Sequence, residues 1–474
     1  LDALGLAEKA TVAADADDEA SRTRAAMAAL DAELGAGWVK SVTPAFAPER
    51  AVLIDDRWAT AREDVARLGS GETDLDAFRR LLAPKRFVGL GQAVADHATW
   101  WAEQAKASDL ADGAERAAVL TAIAQAAPKT PQAGDATVRW SEDVAVVTGV
   151  APGSIAAAVV GELLAGGATV VATSSRLTHE RLEFATTLYR EHAAAGAKLW
   201  MVPANLSSYR DVDALAEWIG NDQVVTSGGS TKVVKEALVP TLLFPFAAPR
   251  VSGTLADAGP AAESQTRLLL WSVERTIAAL SAIGTDTHVD HRLHVVLPGS
   301  PNRGTFGGDG AYGEVKSALD AIVNRWSSER AWAQRVTLAH PRIGWVKGTG
   351  LMGGNDPLVA AVEAAGVRTW TTEEIASELT GLCTTEVRTR AAQAPVNADL
   401  TGGLGDDIDL VALRENAAAQ AAAPAEETEA PAVIKALPTP VVPTQPTAPQ
   451  WGEVSADLDD LVVIISTGEV STWG

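Results

Sequence analysis

Short valine-rich apolar runs alternate with longer segments of helical period through the middle of this chain. Val144–Thr148, Ala168–Thr173, Leu199–Val202, Leu238–Phe246, Leu293–Leu297 and Val336–Ile343 read as strands buried on both faces, because β-branched residues fill them with little polar alternation. Between them apolar residues recur every three or four positions, as at Ile155, Val159, Val160, Leu163 and Leu164. Strand-then-helix alternation predicts an α/β fold, a doubly wound parallel sheet with helices on both faces, across a core of about 137–350. Residues 1–136 mix helical patterns with scattered aromatics such as Trp38, Phe46, Trp58, Phe87, Trp100 and Trp101, and read as a mostly helical scaffold region. Residues 351–415 follow a Gly-rich, mobile-looking stretch and read as a helical lid or docking appendage. Residues 416–455 are rich in Ala, Pro and Glu, the composition of an extended linker. The polar span Arg250 to Gln265 reads as a loop over a cleft.

The first strand runs into chemistry. Val144-Ala-Val-Val-Thr-Gly149-Val-Ala-Pro-Gly153-Ser-Ile-Ala156 is a strand, a Gly-rich turn and a helix start. That sequence of elements offers backbone N–H groups and a helix N-terminus to a pyrophosphate, as in Rossmann-like dinucleotide sites. The next strand ends in Ser174-Ser175-Arg176, with no acid before Glu180. An acid there would accept from a ribose 2′-hydroxyl; a guanidinium suits a 2′-phosphate, so NADPH is favoured over NADH. Taken alone, Arg176 also fits as a solvated residue at a helix start.

The second site lies in PGSPNRGTFGGDGAYGEVKSAL. Tyr312 and Lys316, four apart, share one helix face, and Ser300 sits upstream in a Gly-rich loop after a strand. This trio is equipment for moving a proton to or from a carbonyl oxygen. An ammonium about 4 Å from a phenolate contributes up to ~4 kcal/mol at an effective dielectric near 20, enough to bring a tyrosine from about 10 towards ~7. Asp309 and Glu314 flank the Tyr loop and read as solvated. Val315, Leu319, Ile322, Val323 and Trp326 form an apolar stripe on the same helix, read as core or as a self-association face.

With glycine turn, Ser, Tyr and Lys in this order, the chain resembles the short-chain dehydrogenase/reductase family. Within it, the likeness is nearest to the ketoreductase region of type I fatty acid synthases of the fungal and actinobacterial kind. The stretches that carry it are TGVAPGSIAAAVVGELLAGGATVVATSSR, SPNRGTFGGDGAYGEVKSAL, RIGWVKGTGLM, GVRTWTTEEIASELTGL and NADLTGGL, over roughly residues 140 to 405. DAELGAGWVKSVTPAFAPERA resembles the segment before that region. The tail DLDDLVVIISTGEVSTWG, in 456–474, is similar to the start of the following ketosynthase domain.

The resemblance implies that Tyr312 donates a proton to a carbonyl oxygen, that Ser300 hydrogen-bonds that oxygen, and that Lys316 lowers the Tyr312 pKa and holds the nicotinamide ribose. It places Gly149, Gly153, Ser154 and Ile155 at the pyrophosphate, Ser175 and Arg176 at the 2′-phosphate, Asn205 near the adenine, and Val346 and Thr349 near the nicotinamide of NADPH. It implies reduction of 3-oxoacyl thioesters carried on an acyl carrier protein, other fatty acid synthase domains as partners, and a homo-oligomer within a larger assembly. Departures from the wider family are a Ser–Tyr spacing of twelve, shared by the synthase branch, a turn with one extra residue ending in Ala156, and Ser272 where an Asn of the proton relay is usual. The alternatives are a scaffold module with an idle site, and an enoyl reductase of the same fold, whose Tyr–Lys spacing is longer than four.

Composition narrows the rest. The 474 residues carry a net charge of −22, which argues against nonspecific nucleic-acid binding. It offers an acidic carrier protein no general attraction either. One cysteine, Cys383, excludes an intrachain disulfide framework and fits a reducing, cytoplasmic setting. The seven histidines show no metal-ligand spacing. Val144 to Gly161 is uncharged but interrupted by Gly, Pro, Ser and Thr, so no membrane span is read there. Ser227-Gly-Gly-Ser-Thr231 lacks the Lys of a P-loop and reads as a turn. A start at Leu1 and a stop after a strand-like run read as a piece of a longer polypeptide.

Overall fold

Strand order sets where a site can form. In the computed structural model, eight strands make one sheet in the order β1-β4-β3-β2-β7-β8-β9-β10. The strands are β1 (Val52–Ile54), β2 (Val144–Thr148), β3 (Thr169–Ser174), β4 (Lys198–Pro203), β7 (Leu242–Pro245), β8 (Leu293–Val296), β9 (Val336–Ile343) and β10 (Val396–Leu400). The structure describes residues 19–413 except 36, 76–82, 131–138, 250, 287–289, 305, 350–357, 406–407 and 409–411. These lie in one compact unit, 1–420. The linker and ketosynthase-like tail, 416–474, fall outside the described residues.

From β4 to β10 every pairing is parallel; β1 alone runs antiparallel, Val52 opposite Met201. The chain winds outward one way through β2, β3 and β4, then returns to β7 on the far side of β2 and winds the other way. The direction therefore reverses between β2 and β7, and the crevice beyond the carboxyl ends of those two strands is the topological switch point. The doubly wound, Rossmann-like reading of the sequence is what the sheet shows.

Period-two alternation builds two core layers. Ala145 and Val147 point into one with the helices Ile155–Ala165, His179–His192 and Thr372–Gly381. Val146 points into the other with Tyr209–Gly220, Ser272–Ser281 and Tyr312–Ser328. Of the stripe, Leu319, Ile322 and Trp326 are buried in this second layer with the partly buried Val323 packed against it, and Val315 is buried too, so these residues serve as core. Three helices upstream, Arg57–Ser70, Gln92–Ala107 and Gly113–Ala126, enclose a separate apolar core.

The flanks contribute more to the sheet than their patterns suggest. The region read as a scaffold supplies β1, and the region read as an appendage supplies β10. Helix Thr372–Gly381 packs behind the sheet against Ile155–Ala165, so it is core and not a lid; the glycines 350, 353 and 354 lie outside the described residues. Gly228 and Gly229 form the two-residue turn of an exposed hairpin, β5 (Gln223–Ser227) with β6 (Ser230–Lys235). Among the described residues no helix is long and apolar enough to cross a membrane.

Candidate active site

A cleft of about 1070 Å³ opens at the switch point. Gly149, Ser154, Ile155, Ser175, Asn205, Ser300, Tyr312, Lys316, Val346 and Thr349 line it, so ten of the twelve residues singled out from sequence meet there. Gly153 and Arg176 do not line it. Gly153 forms the turn beside it, and Arg176 stands exposed on the loop after β3.

The glycine turn owes its shape to the end of β2. Thr148 Oγ1 accepts from the Ala247 N–H at 3.0 Å and ties β2 to the chain leaving β7. Gly149 has φ 74°, and a Cβ there would lie 2.6 Å from Ala247 Cα, so neither conformation nor space admits a side chain. Ser154 then caps the helix Ile155–Ala165, its Oγ accepting from the Ala157 N–H at 3.1 Å. The outcome is bare backbone and a helix start facing the cleft. The extra residue of the turn and Ala156 fit within it.

At the β8 end, loop 298–311 carries Ser300 beside the start of helix Tyr312–Ser328. The Asn302 N–H donates to Ser300 Oγ at 3.1 Å, and Ser300 lines the cleft together with Tyr312. Lys316 Nζ donates to the Pro298 carbonyl at 2.7 Å and lies 5.5 Å from the Tyr312 ring centroid. Gln265 Oε1, fully enclosed, accepts from the Ala311 N–H at 2.7 Å and pins the helix start. Asn302 Nδ2 donates to Asp309 Oδ2 at 2.5 Å and closes the loop on itself.

Electrostatics here run against the expectation for Tyr312. Burial, with the Asp309 carboxylate adding to it, pushes its hydroxyl up to about 12, although the Ser300 side chain works the other way. Lys316 is brought down to about 8 by burial. Desolvation is the first cause of both shifts, and the ammonium is engaged by a carbonyl. Tyr312 is thus held as a neutral phenol at neutral pH, the form that can give a proton. Asp309, read as solvated, is half-buried and lines the cleft; Glu314 is exposed as expected.

Three other placements modify the sequence reading. The Asn205 amide is turned to the N-terminal segment, donating to the Ser41 and Thr43 carbonyls at 2.8 Å each. Asp211 Oδ2 receives the N–H groups of Ala45, Phe46 and Asn205, each at 2.8 Å, and holds that segment beside Asn205. Ser272 donates to the Leu206 carbonyl, and no hydrogen bond joins it to Lys316 among the described residues. A π-helical turn, Arg267–Trp271, precedes Ser272 and brings Leu268 and Leu269 to the cleft wall. The span after Arg250 borders the cleft as expected, at Val251, but it becomes helical at Pro260. No group of His, Cys, Asp and Glu suited to a metal occurs among the described residues.

Gln265, Asn302, Asp309 and Asp211 are residues the sequence did not single out for the site. Each works through a partner distant in the chain or through its own loop, and only Asp309 carried a local signal, three residues before Tyr312.

No protein-family model matches the chain. It is 38% identical over 272 residues to fatty acid synthase subunit alpha of Saccharomyces cerevisiae, covering 56% of this chain and 14% of that protein. The subunit alpha of Candida parapsilosis is 38% identical over 267 residues and that of Schizosaccharomyces pombe 37% over 269, each again across 56% of this chain and 14% of the relative. The chain thus spans about a seventh of the length of these curated relatives. They bear out its resemblance to a region of the fungal type I fatty acid synthases. Among solved structures, an NADPH-bound short-chain oxidoreductase from Pseudomonas aeruginosa is 20% identical with TM-score 0.44, covering 56% of this chain and 98% of its own. The RhlG/NADP complex of the same organism is 20% identical with TM-score 0.43, covering 55% and 95%.

Proposed function

We propose that this chain is an NADPH-dependent reductase of 3-oxoacyl thioesters, forming 3-hydroxyacyl thioesters in fatty acid synthesis. One observation carries the reading: Ser300, Tyr312 and Lys316 converge on a single cleft whose other end is the bare glycine turn at the sheet's switch point. Similarity to the synthase alpha subunits supports the pathway.

The residues fit a dinucleotide phosphate. Gly149, Gly153, Ser154 and Ile155 would hold the pyrophosphate through backbone N–H groups. Ser175 and Arg176, at an end of β3 that carries no acid before Glu180, would hold the 2′-phosphate. Asn205 would shape the adenine end through its grip on residues 41 and 43, and Val346 and Thr349 would border the nicotinamide. When bound, the dihydronicotinamide supplies the hydride.

The chain's own work is on the oxygen. Ser300 and Tyr312 hydrogen-bond the thioester's 3-oxo group, which orients it and polarises it. Tyr312 gives its proton as the oxygen becomes an alkoxide. Lys316, brought down to about 8, would hold a ribose hydroxyl and pass protons in from solvent. An acyl carrier protein bearing the chain, neighbouring synthase domains and a homo-oligomeric assembly complete the proposal, with action in the cytoplasm.

The test is loss of NADPH absorbance with acetoacetyl-CoA, run beside Tyr312→Phe, with NADH and a crotonyl thioester as controls. Turnover that vanishes in Tyr312→Phe and falls with NADH supports the reading. Turnover of the crotonyl thioester alone would make the chain an enoyl reductase. NADPH binding without any turnover would leave it a scaffold module.

A further inference from the structure

Among the described residues thirty-six line the cleft, and two of these, Asp309 and Lys316, carry a charged side chain. They stand on either side of Tyr312 in the chain, one in the loop before the helix and one a turn along it. Asp309 is fixed in place. Asn302, almost fully enclosed, donates its amide to Asp309 Oδ2 at 2.5 Å and accepts from the Gly304 N–H at 2.9 Å. The Asp309 carbonyl accepts from the Tyr312 N–H at 3.2 Å, and Gly253 and Gly310 brace the same turn.

We infer that Asp309 is a positioning residue that keeps Tyr312 in its proton-donating form and so tunes the site for reduction. The inference rests on the reductase reading and deepens it. In the forward step the Tyr312 O–H bond breaks, the substrate O–H bond forms, and the phenolate then regains a proton from water. A carboxylate beside the phenolate disfavours the charged form, so the proton returns readily and the phenol persists to higher pH. In reverse, 3-hydroxyacyl oxidation needs Tyr312 as phenolate, the state Asp309 opposes. The equilibrium of the reaction is untouched; the populations of the two enzyme forms are what change.

Among the described residues, the other groups near Tyr312 do not supply this field. Ser300 and Gln265 are neutral, and Lys316 acts with the opposite sign. Glu314 is exposed, and Arg303, also exposed, pairs with Asp320 at 2.7 Å. Asp257, beyond Gly253, is engaged by the Thr254 N–H at 2.7 Å and by its hydroxyl.

Asp309→Asn tests this, because it removes the charge while keeping an oxygen for Asn302. Two readouts apply. The first is Tyr312 ionisation by NMR of ring-labelled tyrosine, assigned through Tyr312→Phe in a chain with three tyrosines. Its onset should move down by about one pH unit in Asp309→Asn and stay at the parental value in Asp309→Glu. The second is the pH profile of kcat/KM, whose alkaline limb for reduction and acidic limb for oxidation should both move down. Unmoved Tyr312 ionisation in Asp309→Asn overturns the inference, whether or not the protein turns over a thioester. A lower rate with an unmoved profile also overturns it, since that is what mere loosening of the loop would give. If Tyr312 ionisation shifts in a protein with no thioester activity, the tuning stands and the reductase reading falls.

Discussion

Lys316 should make the folded chain weaker at neutral pH, and replacing it with methionine should strengthen it. Lys316 is only 7% exposed, so solvent screens it little, and burial lowers it from its ordinary 10.5 to about 8. A depression of that size costs about 3 kcal/mol whenever the lysine must stay protonated, at about 1.36 kcal/mol per unit. Below pH 8 both folded and unfolded chains bind the proton, and the folded chain bears the full cost. Between about 8 and about 10.5 the unfolded chain holds more protons than the folded one, so stability rises with pH through that window. Lys316→Met removes the cost, but it leaves the Pro298 carbonyl without its donor, a loss of about 1 kcal/mol. The net expectation is about 2 kcal/mol of stabilisation near pH 7, with loss of the proposed reductase activity. Urea unfolding of parent and variant at about pH 7 and about pH 10 reads both effects: the parent's midpoint should rise by more between the two than the variant's, in which the buried Lys235, also lowered to about 8, still titrates. A variant less stable than its parent near pH 7, with the same pH slope, would show that Lys316 is not desolvated and would refute the reasoning. The cost is also what the proposed proton-handling role requires, since a lysine near 8 can exchange a proton at physiological pH.

Asp211→Ala strands three backbone N–H groups that share one oxygen, and should lower unfolding stability by about 3 kcal/mol and weaken NADPH binding. Asp211→Asn, which keeps one acceptor oxygen, should recover part of both, read by denaturation and by cofactor fluorescence. Gly149→Ala must accept φ 74° together with a Cβ 2.6 Å from Ala247 Cα, and should abolish cofactor binding or folding. Gly153→Ala has φ 67° but its nearest neighbour is Gly348 O at 3.6 Å, so a loss of about 1 kcal/mol is expected; equal damage at the two sites would contradict this account of the turn. His294, lodged between Thr337 Oγ1 at 2.8 Å and the Leu382 carbonyl at 3.1 Å, is brought down to about 4 by burial. As pH falls from about 6.5 to about 4 the unfolded chain takes up a proton that the folded chain refuses, so stability should drop by up to about 3 kcal/mol. His294→Gln should flatten that part of the curve.

Sequence pattern was a good guide where structure is local. Strands β2, β3, β8 and β9 are buried on both faces over most of their length, so apolar residues dominate them and they are visible as runs. The edge strands were not legible for the opposite reason. β1 has only three residues, and β10, Val-Asn-Ala-Asp-Leu, alternates exposure and carries polar side chains on its open face. The glycine turn, Ser300, Tyr312 and Lys316 were legible because their spacing encodes their geometry. The direction of the Tyr312 shift was not, because it depends on how deeply two groups are buried and on where Asp309 is held, neither of which spacing records.

The residues outside the motifs all act on loops whose conformation nothing local would fix. Loop 298–311 carries four glycines at positive φ, Gly304, Gly307, Gly308 and Gly310, and on its own would sample many shapes. Gln265 reaches it from a helix 46 residues away, and Asn302 folds it onto Asp309. At the other end of the cleft, Asp211 and Asn205 fasten a segment more than 160 positions upstream. Each contact is one hydrogen bond or a small cluster, too little to decide whether the sheet folds, but aimed where positional error matters most. Proton transfer needs donor and acceptor within hydrogen-bond reach, and a displacement of about 1 Å can cost a hundredfold in rate. Substitutions at Gln265 and Asn302 should therefore lower kcat by a larger factor than their effect on the unfolding midpoint would suggest. Substitutions in the three-helix core around Leu68, Leu120 and Ile123 should do the reverse.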